Sequence, residues 1–113
     1  MYVKRLAVIL GAAAVVSCSS NPTGPTGGHS TTITVSNNFF SPTPDTVSAG
    51  QVTFSWSNAS NTHNVSWDSG PGTLPTNSLT MTSGTYQPTL VVGTYHYHCG
   101  VHPTVMTGTI VVQ

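Results

Sequence analysis

Past residue 30 the chain is written in short alternating runs of apolar and polar residues. Residues 31–36 place Ile33 and Val35 on one face. Residues 51–57 alternate most clearly, with Val52, Phe54 and Trp56 on one side and Thr53, Ser55 and Ser57 on the other. Further runs at 45–48, 63–67, 78–82, 85–90, 94–99 and 107–112 read as strands. Pro88 makes the 85–90 run an edge or irregular strand. Residues 37–42 read as a turn anchored by Phe39 and Phe40, and residues 58–61 as a polar loop. Gly50, Gly84 and Gly93 mark turns, and Gly70, Pro71, Gly72 and Pro75 fill a longer loop. No segment past residue 30 carries a helical period. Short strands at this spacing predict an all-β sandwich or barrel.

The first 30 residues follow a different pattern. Lys4 and Arg5 precede an apolar run over 6–16 that is too short to span a bilayer comfortably. Residues 1–17 therefore read as a signal peptide, with a small anchor helix as the alternative. Val15-Val16-Ser17-Cys18 resembles the lipobox of bacterial lipoproteins. That resemblance implies a diacylglycerol on Cys18 and an acylated amine, hence lasting attachment to a membrane of the cell envelope. Without it, Cys18 would be a buried thiol or a disulfide partner for Cys99. Residues 18–30 are rich in Gly, Pro, Ser and Thr and read as a flexible tether with a solvated His29. The domain proper is then 31–113.

Charge sharpens the picture. Charged residues make up 4% of the chain, against about 25% in an ordinary globular domain. Lys4 and Arg5 are the only bases, so the processed chain has none, and its acids are Asp45 and Asp68. Nucleic-acid binding needs cations against phosphate and is excluded. Electrostatic steering of any partner must be weak, so association should barely respond to salt. Removal of residues 1–17 and lipidation of Cys18 also leave Cys99 as the lone thiol, either buried or held by a metal.

The candidate chemistry lies in Tyr95-His96-Tyr97-His98-Cys99-Gly100-Val101-His102-Pro103-Thr104-Val105-Met106. Two residues separate Cys99 from His102, three separate His102 from Met106, and His63 lies far upstream. Two imidazoles and a thiolate in a trigonal set, with a weak axial thioether, make a blue-copper electron-transfer site. On an alternating strand, Cys99, Tyr97 and Tyr95 share the inner face, while His96 and His98 face solvent. Taken singly, each residue also has an ordinary reading: Cys99 as a structural thiol, His102 as a loop residue, Met106 as core filler and His63 as a strand-end histidine. A structural zinc would accept Cys and His, but Met is a poor zinc ligand. Tyr97, Phe39 or Phe40, Val101 and Met106 are the expected apolar shell.

Residues 95–112, together with the upstream run 50–58 and His63-Asn64-Val65, resemble the plastocyanin/azurin family of cupredoxins, in the right order and over essentially all of 31–113. The resemblance implies an eight-stranded Greek-key β-sandwich holding one type 1 copper. It makes His63, Cys99 and His102 the equatorial ligands and Met106 the axial one. It also implies that Asn64 bonds the cysteine loop, and that the edge of His102, ringed by Gly100, Pro103, Thr104 and Val105, is the electron port. The spacing of His102 and Met106 falls between the shorter and longer family loops, which leaves the strength of the axial bond open.

The expected function is single-electron transfer between redox proteins of the cell envelope, by a monomer that is not an enzyme. Copper binding and delivery is the alternative: a donor would lose Cu(I) to a competing apo-protein, a carrier would not. A metal-free adhesion sandwich would show no absorption near roughly 600 nm with copper. A nitrite reductase or oxidase needs further histidines for a second copper, and only His29, His96 and His98 remain. A dinuclear copper site needs a second nearby cysteine.

Overall fold

The computed structural model describes residues 29–113, so the signal peptide, Cys18 and most of the tether lie outside the described residues. Two four-stranded sheets and a two-stranded ribbon make up the fold. In the first sheet β1 (Thr32–Ser36) runs parallel to β5 (Thr53–Trp56) and antiparallel to β2 (Phe39–Ser41), with β7 (Gly84–Tyr86) on the far side of β5. In the second, β10 (Thr107–Val112) pairs with β3 (Asp45–Val47) in parallel and with β9 (Gly93–His98) in antiparallel fashion, and β6 (Ser66–Ser69) flanks β9. The ribbon joins β4 (Gly50–Gln51) to β8 (Thr89–Leu90).

The alternating runs turn one face of each sheet inward. Ile33, Val35, Phe54 and Trp56 meet Tyr95, Tyr97, Ile110 and Val112 in one buried cluster, so the domain is an all-β sandwich. Phe54 lies edge-on to Tyr97 and Trp67, with ring centroids 5.2 and 6.0 Å away. Such contacts add to what burial of apolar area already contributes. Tyr97 crosses β10 at Gly108, where a Cβ would sit 2.2 Å from the ring. Only glycine permits that approach.

The structure divides several expected strands. The run over 51–57 breaks at Val52, whose N–H goes to the Pro88 carbonyl while Thr53 N–H goes to Thr31. There the chain leaves the ribbon for the first sheet. Pro88 has no N–H to continue the ladder, so the run over 85–90 becomes β7 and β8. Residues 37–42 are a turn only at Asn37 and Asn38, where Asn38 takes φ 67°, and Phe39–Ser41 is paired strand. The runs at 63–67 and 78–82 form no ladder and meet in a bridge between His63 and Met81 and in a bond from Ser78 N–H to the Val65 carbonyl at 3.0 Å. Beside it, the Ser78 hydroxyl captures Val65 N–H at 2.8 Å, a side chain taking the place of a ladder partner.

Candidate metal centre

Three elements converge at one end of the sandwich. The first is the segment after β5. His63 sits there, fully buried, and its backbone is pinned three ways. His63 N–H donates to the Met81 carbonyl, and the His63 carbonyl accepts from Met81 N–H and from the Trp56 indole, each at 3.0 Å.

The second is the loop after β9. Cys99 and Met106 are both fully buried. Cys99 N–H donates to the Met106 carbonyl at 2.9 Å, closing the loop at its base. Inside it, His102 N–H donates to the Cys99 carbonyl, and Met106 N–H donates to the His102 carbonyl, both at 3.1 Å. The second of these is a single α-turn, which stands His102 and Met106 one turn apart. His102 is half-buried, and around it Val101 and Val105 are exposed. Val101 therefore belongs to the surface rather than to the expected apolar shell, and Phe40 rather than Phe39 is the buried aromatic.

The third is Asn64. Its Oδ1 accepts the Gly100 N–H at 2.6 Å, tying the cysteine loop to the segment that carries His63. The family resemblance implied that contact.

These constraints bring the side chains of His63, Cys99 and His102 together, with one donor atom from each lying within 4.8 Å of the others. Nδ1 of His63 is 3.7 Å from the Cys99 sulfur and Nδ1 of His102 is 3.9 Å from it. The two imidazole rings are 5.0 Å apart, centre to centre. Burial, and then the neighbouring His102 ring, push the His63 pKa below its ordinary value of 6.5, so the neutral, ligating form is favoured. On the outer face, His96 Nδ1 lies 3.1 Å from the Thr109 hydroxyl and His98 Nδ1 lies 2.7 Å from Asp68. Strand alternation keeps both away from Cys99, as expected. The pairing of His98 with Asp68 was not legible, because Asp68 sits in a bulge opposite β9.

One contact had no counterpart in the sequence reading. Asn37, which reads as a plain turn residue, places Oδ1 3.2 Å from His63 Nε2. No local spacing announces a pairing across 26 residues.

An all-β sandwich with a buried thiol and two imidazoles at one pole is the architecture of a small copper domain. The cupredoxin-like domain model matches residues 6–112, and the chain belongs to that family. Family and donor set together make its cofactor a single type 1 copper. Solved structures agree with the fold. A reduced mutant amicyanin is 27% identical, with 80% of this chain and 87% of that one covered at a TM-score of 0.60. An oxidised mutant amicyanin is 26% identical, covering 73% of this chain and 80% of that one, also at 0.60. A copper-containing nitrite reductase from Thermus scotoductus SA-01 shares the fold at 22% identity and TM-score 0.59, over 87% of this chain. The chain spans only 25% of the nitrite reductase's length. No curated protein matches the sequence.

Proposed function

We propose that this copper protein carries single electrons between redox proteins of the cell envelope, and that His63, Cys99, His102 and Met106 would hold the copper. One observation carries the assignment. An ion about 2.0–2.1 Å from an imidazole nitrogen and about 2.3 Å from a thiolate, at an angle near 120°, requires nitrogen and sulfur about 3.8 Å apart. The two separations found are 3.7 and 3.9 Å.

Bound there, copper supplies a Cu(II)/Cu(I) couple. The protein's part is to hold the donors still. His63 is fixed by its bonds to Met81 and Trp56, and the loop from Cys99 to Met106 by its own backbone bonds. Donors held this way rearrange little between oxidation states. Burial of His63, Cys99 and Met106 keeps water out, while the half-buried His102 gives the electron a way to the surface. Val101 and Val105 make that surface apolar, which suits an uncharged patch on a redox partner.

Placement at the membrane follows from the lipid reading of Cys18. Ser30 and Gln113 line one cavity, at the far ends of β1 and β10 from the loop that holds His102. A tether anchored through Cys18 would therefore join the domain at the end opposite the loop that holds His102. The deciding experiment adds Cu(II) to the full-length chain and to Cys99→Ser and records visible and EPR spectra. Wild type should show an intense band near roughly 600 nm with narrow hyperfine splitting, and Cys99→Ser neither. A wild-type spectrum without that band would overturn the assignment.

A further inference from the structure

The two nitrogens of the buried His63 ring have different neighbours. Nδ1 faces the Cys99 sulfur at 3.7 Å, and Nε2 faces Asn37 Oδ1 at 3.2 Å. Two further contacts fix which way the Asn37 amide points. The backbone N–H of Asn61 can only donate, and it reaches Oδ1 at 3.3 Å. Nδ2 donates to the Ser60 hydroxyl at 2.8 Å. The atom opposite Nε2 is thus the amide oxygen, which can only accept. A neutral imidazole carries one N–H, and here that proton belongs on Nε2. Nδ1 is left with its lone pair, directed toward Cys99.

We propose that Asn37 is the positioning residue of the metal centre: it locks His63 in the Nε2–H tautomer and holds the ring in the ligating orientation before copper arrives. The proposal rests on the assignment of His63 as a ligand. Asn37 touches the far side of the ring only and ligates nothing. It also stitches the turn between β1 and β2 to the loop that precedes His63, through Ser60 and Asn61. An acceptor on the distal N–H raises the basicity of a ligating imidazole and restrains its rotation. Without Asn37, the proton can move to Nδ1 and block the ligating atom.

The test compares Asn37→Ala, Asn37→Asp and Ser60→Ala in the full-length chain. Asn37→Asp keeps an acceptor toward Nε2 and Asn61 but loses the donor to Ser60. Ser60→Ala loosens the loop contact and leaves the contact to His63. In metal-free protein, nitrogen NMR should find His63 as the Nε2–H tautomer in wild type, Asn37→Asp and Ser60→Ala, and as a mixture in Asn37→Ala. Copper loss to a chelator should quicken on the order of tenfold in Asn37→Ala and return near wild type in Asn37→Asp. The reduction potential should fall below wild type in Asn37→Asp, because a carboxylate beside the ring favours Cu(II). An unchanged tautomer in Asn37→Ala overturns the proposal, and so does a Ser60→Ala variant that reproduces all its effects. If Asn37→Ala does not fold, Asn37→Asp decides: an unchanged potential overturns the proposal, a lowered one with the tautomer kept supports it. If wild type shows no charge-transfer band, the ligand assignment has failed, and the metal-free tautomer still settles what Asn37 does.

Discussion

The two ends of the sandwich bury polar groups in opposite ways. At the end that carries His102, the groups that frame the site have partners: His63 by Met81, Trp56 and Asn37, Cys99 N–H by Met106, and Gly100 N–H by Asn64. What remains is a thiol sulfur and two Nδ1 atoms facing one another. At the other end Asp45 is fully buried, and only Oδ1 has a partner, the Ser30 N–H at 3.1 Å. Asp45 Oδ2 and the Tyr97 hydroxyl are buried without a hydrogen-bond partner among the described residues. Burial pushes the Asp45 carboxyl above its ordinary range, and the Ser30 and Thr46 N–H groups pull it part of the way back. Burial, and then the Asp45 carboxylate, raise the Tyr97 hydroxyl well above its ordinary value of 10, while the Thr43 side chain offsets this slightly without reaching hydrogen-bond geometry. One end pairs the groups that frame the site and leaves free the atoms that chemistry needs. The other tolerates an orphan that stability would do without.

Tyr97 links the two ends, and the largest expected effect comes from disturbing it. Gly108→Ala would press a methyl group into the Tyr97 ring, 2.2 Å from the nearest ring carbon. Stability should fall by about 1–3 kcal/mol, read as a lower denaturation midpoint. The copper band should stay at its wavelength, because the loop from Cys99 to Met106 is held by its own bonds. A displaced band would show that the two ends are coupled and break the contrast.

Asn64→Ala removes the acceptor of the Gly100 N–H. Gly100 is exposed and water can replace part of that bond. The metal-free protein should therefore lose only about 1 kcal/mol. A stability equal to that of wild type would mean that Asn64 is not what ties the cysteine loop to the His63 segment.

Asp45→Asn should have the smallest effect, and its sign depends on pH. A carboxyl whose pKa in the folded state lies above its ordinary 3.8 binds its proton more tightly folded than unfolded. Its contribution to stability is fully present below 3.8 and is lost as pH rises through the folded value. The asparagine variant does not titrate and keeps an oxygen for Ser30. It should be more stable than wild type at neutral pH, with the gap closing on acidification. Melting both proteins across that range checks this, and a gap that widens toward acid would refute it.

Much of this was legible along the chain. Alternation set which residues face inward, since side chains on a strand point to opposite sides in turn. Tyr95, Tyr97 and Cys99 followed from that rule, as did the outward histidines His96 and His98. The nearness of Cys99, His102 and Met106 followed from a short loop, which cannot carry its residues far apart. Strand boundaries were less legible. Val52 ends a ladder because of where its backbone partner lies, which the residue does not show by itself, whereas Pro88 announces its break by lacking an N–H.

What the tertiary structure alone decided is of another kind. The 3.7 Å between His63 and Cys99, the turn of Asn37 toward that ring, the pairing of Asp68 with His98 and the burial of Asp45 all join residues far apart in the chain. Local pattern acts over a few residues and says which way a side chain points. Which groups meet across the sandwich depends on how the sheets are stacked and in what register, and that is settled only when the whole core packs.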